Sequence, residues 1–140
     1  MKRAEYTAFI FAHIALFIVF VWFGSLKLFG FSPANPLVSA LLAQTLPFIT
    51  FPVFSLILGM YEVIIGVLFI VPRMEKVAIA LLIPHMLVTI LPLILLPDMT
   101  WQSFLVPTLE GQYIIKNVVI IALAATVFAD MGKRKENFLE

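Results

Sequence analysis

Charged residues are so sparse along this chain that the intervals between them define its elements. No charge falls in residues 6–26, between Glu5 and Lys27. A second long uncharged run lies between Lys27 and Glu62, broken by Pro33, Asn35 and Pro36. A third, of 21 residues, lies between Lys76 and Asp98. From Gly111 to Ala129 the one charge is Lys116. A helix rises ~1.5 Å per residue, so about 20 apolar residues cross the ~30 Å hydrocarbon core of a bilayer. The pattern predicts four membrane-spanning helices, over residues 7–29, 47–71, 75–96 and 112–131. The first is too long for the apolar region of a signal peptide, and no small-x-small cleavage site follows it.

The basic residues orient these spans. Lys2 and Arg3 precede the first, Arg73 and Lys76 lie between the second and third, and Lys133, Arg134 and Lys135 follow the fourth. Four spans put all seven on one side, which the positive-inside rule makes cytoplasmic, with both termini there. In the first opposite loop, Asn35-Pro36 reads as an N-cap and first helical position, and Leu37, Val38, Leu41 and Leu42 recur at helical spacing. This predicts a short helix lying along the interface. Trp101 and Tyr113 suit the outer headgroup level and Tyr6 the inner one. No internal repeat is visible. Residues 1–140 read as one domain, an all-α up-down-up-down four-helix bundle.

Composition narrows the classes. Hydrophobic residues are 63% of the 140 and charged residues 12%. A soluble domain of this size cannot bury that much apolar surface. A soluble globular enzyme, a disordered chain and a nucleic-acid binder are excluded. With zero cysteines, disulfides, thiolate metal sites and Cys-x-x-Cys redox chemistry are excluded too. The net charge of +1 supplies no steering field, so the position of each charge matters more than the sum.

Ionisable groups inside a membrane are costly and usually face protein or a cavity. Here they are His13, Lys27, Glu62, His85 and Lys116. Glu62 shares a helix face with Gly59 and Gly66, small residues that allow close helix approach, so it should point into the bundle, as a structural or a functional carboxyl. His85 follows Pro84, whose missing N–H and crowding ring free the carbonyl of Ala80; a neighbouring polar side chain can bond that carbonyl. Counted at ~1.5 Å per residue, His13 lies about 9 Å from the inner end of its helix and Glu62 and His85 about 15 Å from theirs, so the three fit one polar layer. Axial ligation of a haem by His13 and His85 is a further arrangement. Lys27 and Lys116 both sit near the outer end, on helices expected to be neighbours. Either they snorkel to headgroups, or they converge on an acceptor such as Glu110, Asp98, a quinone or a lipid phosphate, with Gln112 and Asn117 beside Lys116.

Three stretches carry a family resemblance: F-G-S-L-K-L-F-G at 23–30, G-M-Y-E-V-I-I-G-V-L at 59–68 and P-T-L-E-G-Q-Y-I-I-K-N at 107–117. The chain resembles the DoxX-like family of small four-helix bacterial membrane proteins over nearly its whole length. The resemblance marks Lys27, Glu62 and Lys116, and implies a bacterial inner-membrane protein. Its namesakes resemble the small membrane subunit of a thiosulfate:quinone oxidoreductase; other relatives assist redox or oxidative-stress systems or protein maturation. The related architecture of vitamin K epoxide reductases depends on cysteines that this chain lacks.

The expected function is an accessory or membrane-anchor subunit of a quinone-linked redox system, not catalytic on its own. A quinone or lipid site would be built from Lys27, Glu62, His85, Gln112, Lys116 and Asn117, an apolar bundle with a few convergent polar groups. Expected partners are membrane lipid, a protein of the same complex and further copies of the chain. The alternatives are an assembly factor or structural subunit without a ligand, and a small proton-coupled transporter using Glu62.

Overall fold

The computed structural model describes residues 3–136, with side chains from 5 to 131. Of the basic residues that orient the spans, Lys2 and the side chains of Arg3, Lys133, Arg134 and Lys135 lie outside the described set. Four helices are long and apolar enough to cross a membrane. The chain is an all-α four-helix membrane protein.

Helix α1 (Arg3–Leu28) starts four residues earlier than the uncharged run suggests. It stops at Gly30, whose φ of 76° only a residue without Cβ adopts freely. The Phe31 amide donates to the Leu26 carbonyl at 2.8 Å and the Gly30 amide to that of Lys27 at 3.2 Å. This is the Schellman closure of a helix end. Helix α2 (Asn35–Thr45) forms as expected, but Asn35 is its first residue rather than its cap. Its side-chain amide reaches back to the Gly30 carbonyl at 3.1 Å instead.

Helix α3 (Phe51–Ile70) begins four residues after the expected start, because 47–50 form turns between Pro47 and Pro52. It ends where Pro72 forces Val71 into an extended conformation, ψ 121°. The third span is two pieces. Helix α4 (Glu75–Ile90) runs through Pro84, and α5 (Pro92–Leu95) follows a break at Pro92, which has no amide to give Val88. Then come a single turn, α6 (Pro97–Thr100), and a two-stranded antiparallel hairpin, β1 (Trp101–Ser103) with β2 (Val106–Pro107). The hairpin was not expected; no Asn-Gly or Asp-Gly turn announces it, and its tip uses Leu105 at φ 59°. Helix α7 (Leu109–Glu136) completes the bundle. Thr108 caps it, accepting the Gly111 amide at 3.1 Å while donating to the Met99 carbonyl at 2.7 Å.

The spans pack in a ring, α1 on α3, α3 on α4, α4 on α7 and α7 on α1, with α1–α3 the most intimate pair. The main core joins Leu16 and Phe20 of α1 to Ile65 and Phe69 of α3, Leu82 of α4 and Val127 of α7. A second cluster, Leu37 and Leu41 with Leu96 and Ile114, fastens α2 across the end that carries the hairpin. Outward faces are apolar, as at Ile18, Trp22, Ile57, Leu87 and Val119, and suit lipid contact.

Candidate functional site: a buried ammonium, carboxylate and imidazole

The site starts from two glycines. A Cβ at Gly24 would stand 2.8 Å from the Gly59 carbonyl oxygen, and a Cβ at Gly59 would stand 2.8 Å from that of Gly24. Small residues at this crossing let the backbones of α1 and α3 touch. Three residues beyond each glycine, on the same helix face, comes a charge: Lys27 on α1 and Glu62 on α3. Side chains tilt toward the N-terminus of their own helix. In an antiparallel pair, with Lys27 nearer the hairpin end than Glu62, those tilts point the two side chains at each other. Lys27 Nζ lies 2.7 Å from Glu62 Oε2, with the side chains 9% and 8% exposed. The Ser55 hydroxyl of α3 donates to the Lys27 carbonyl at 3.4 Å, close to the capped end of α1.

The third member comes from α4. His85 Nε2 lies 3.4 Å from the other carboxylate oxygen, Oε1. One carboxylate therefore bridges an ammonium and an imidazole from two different helices. The His85 ring is held edge-on by Phe20, centroids 5.7 Å apart, and flanked by Tyr61 at 6.0 Å. The Tyr61 hydroxyl donates to the Leu81 carbonyl at 2.7 Å. This corrects the role expected of His85: the imidazole turns to Glu62, and Tyr61 bonds the Leu81 carbonyl, one residue on from the Ala80 carbonyl that Pro84 frees.

The remaining expected residues lie elsewhere. Lys27 and Lys116 do not converge. Lys116 is exposed, with its ammonium 5.4 Å from the Tyr113 ring centroid. The inward line of α7 runs through Ile114, Ala124 and Val127. Lys116 and Gln112 are each two residues, about 200° of helix, from Ile114, and both face out. Asn117 is half-buried and donates to Thr89 Oγ1 at 3.5 Å, itself bonded to the Met86 carbonyl at 2.9 Å. Asp98 and Glu110 are exposed, and among the described residues neither pairs with a lysine.

His13 does not join the Glu62–His85 layer. Its Nδ1–H donates to the Phe9 carbonyl at 2.8 Å, and its ring meets Phe69 edge-on at 6.4 Å. Phe69 is seven residues, about 10 Å of helix, from Glu62. Nε2 of His13 is buried without a hydrogen-bond partner among the described residues. The shared haem arrangement is not formed, since the Nε2 of His85 is turned to Glu62. Sequence reasoning placed Lys27, Glu62 and His85 in one site but set Lys27 against Lys116 rather than Glu62, and missed Tyr61 and Ser55. The signal was present in the matched spacing Gly24-x-x-Lys27 and Gly59-x-x-Glu62.

No protein-family model, characterised protein or solved structure matches this chain.

Proposed function

We propose that this protein is a DoxX-like accessory subunit of a quinone-linked redox system, with the polar head of a quinone or lipid received at the Lys27–Glu62–His85 cluster. One observation carries the reading. Three ionisable side chains, on three helices, are gathered in an interior where each alone is costly, and their hydrogen-bonding capacity is not used up. An ammonium has three donors. Among the described residues Lys27 Nζ spends one, on Glu62. A carbonyl or phosphate oxygen suits the unspent ammonium donors. Electrons would come from a partner or a bound cofactor, because the chain has no cysteine to carry them. The excess of basic residues at one end supports a bacterial inner-membrane protein with both termini cytoplasmic. A protein partner and further copies of the chain belong to the same proposal.

The test is native mass spectrometry of gently extracted protein, with identification of bound quinone and lipid, beside the Lys27→Met/Glu62→Leu variant. The double change keeps the interior neutral, so loss of ligand is separated from loss of fold. Quinone or a distinct lipid retained by the natural protein and absent from the variant is the expected result. Equal, empty spectra overturn it.

A second reading is a structural or assembly subunit without a ligand. Its support is that both Glu62 oxygens are engaged inside the protein, which makes the cluster a lock between α1, α3 and α4. Copurified proteins with an empty bundle would mark it. A proton-coupled carrier through Glu62 has weaker support, since Lys27 already holds that carboxylate.

A further inference from the structure

We propose that the β1–β2 hairpin and the loop tips beside it form a collar seated in bilayer lipid, in the leaflet at that end of the bundle. This goes beyond the redox reading and does not depend on it. Phe31 from the α1–α2 connection, Phe48 from the α2–α3 connection and Phe104 from the hairpin are 77%, 79% and 90% exposed, and Leu105 beside Phe104 is exposed as well. Large apolar side chains so open, on three separate loops at one end, form a surface that water does not suit.

The charges make the same point. Residues 28–61 contain no Asp, Glu, Lys or Arg, and residues 77–115 contain only Asp98 and Glu110. A water-facing cap of this extent would carry the mixed charge of ordinary protein surface. An interfacial one carries aromatics, here joined by Trp101 and Tyr113.

Depth follows from Lys116. An exposed ammonium on a spanning helix must reach the headgroups. Lys116 Nζ stands over Tyr113, which sets the headgroup level on α7. The hairpin joins α7 at Thr108, whose amide donates to the Thr100 carbonyl at 2.9 Å. Five residues of helix separate Thr108 from Tyr113, about 8 Å. The headgroup zone is itself roughly 5–8 Å thick on each side. The hairpin base therefore lies at the outer edge of that zone. It is also drawn down onto the third span: the Trp101 indole N–H donates to the Leu93 carbonyl of α5 at 3.0 Å.

The absence of cysteine makes the test direct. Phe104→Cys and Phe48→Cys are each spin-labelled in vesicles, and collision with oxygen is compared with collision with a water-soluble nickel chelate. Ile57→Cys, on the lipid-facing side of α3, is the reference. Oxygen collisions exceeding nickel collisions at both tips, with a shallower depth than at Ile57, is the expected result. Nickel dominance places the tips in water and overturns the proposal. Low collision with both reagents, with an immobilised spectrum, means a protein covers the surface, and overturns it equally. Unchanged melting of the labelled variants confirms that each reading is of folded protein.

Discussion

Gly24 and Gly59 face each other across the α1–α3 crossing with room for no side-chain atom on either, and that contact sets the distance at which Lys27 meets Glu62. The charged stems use the same space: a Cβ at Gly24 would stand 3.0 Å from the Cβ of Glu62, and one at Gly59 would stand 3.1 Å from that of Lys27. Packing and electrostatics are one feature here.

Gly24→Val and Gly59→Val should each destabilise the bundle by about 1–3 kcal/mol, as overpacking against backbone does. Gly30→Ala meets no atom but forces a Cβ into φ 76°, at a cost of about 1–2 kcal/mol. Thermal melts in detergent check all three. Disulfide crosslinking between cysteines on α1 and α3 should weaken in the first two and persist in the third.

Lys27→Met leaves the Glu62 carboxylate without its cation. Breaking a buried pair costs about 3–5 kcal/mol, whereas replacing both partners by apolar groups is often neutral. Lys27→Met/Glu62→Leu should therefore recover most of what Lys27→Met loses. Glu62→Lys, which sets two ammonium groups side by side, should be worse than Glu62→Leu. Equal melting of Glu62→Lys and Glu62→Leu would show that this position is open to solvent.

Lys116→Met should behave differently. The side chain is exposed and rests over Tyr113, so its loss should change stability by no more than about 0.5 kcal/mol. Melts of Lys116→Met and Lys27→Met in parallel separate the two lysines that sequence alone treats as equivalent.

Tyr61→Phe removes the donor to the Leu81 carbonyl and leaves the ring beside His85. A loss of about 1 kcal/mol is expected, near the mean for one hydrogen bond. Hydrogen exchange should rise in α4 around Pro84 and stay level in α1.

For orientation, Ser39→Cys should react with an impermeant reagent applied to intact cells, and a cysteine in the C-terminal tail should not. Ser39 is exposed, on α2. Labelling of the tail from outside would reverse the proposed topology.

The four spans were legible because a charge inside a helix that faces lipid is costly, and the chain spaces its charges accordingly. Helix ends were less so: Pro47 and Pro92 act through which carbonyl loses its donor, and hydropathy does not record that. The inward direction of Glu62 was readable from Gly59 and Gly66. Its partner was not, because pairing depends on the register between α1 and α3, and register is set by the glycine crossing. Lys116 misled for a simpler reason. Depth along a helix says nothing of azimuth, and azimuth was visible only once Ile114 was known to face inward.

The Lys27–Glu62 pair also bears on how the chain enters its membrane. A lone carboxylate or ammonium at the middle of a helix opposes insertion by about 2.5–3.5 kcal/mol on translocon scales. The two charges belong to consecutive spans, and an α1–α3 hairpin can carry them in as a neutral unit. Synthesis delivers α1 first, so Lys27, one residue from the end of its helix, can wait near the headgroups until Glu62 arrives. The sequential order of the spans then becomes a condition for loading the second charge. Deleting α1 should lower the fraction of α3 that integrates in a glycosylation-tag insertion assay, and Glu62→Leu should restore it.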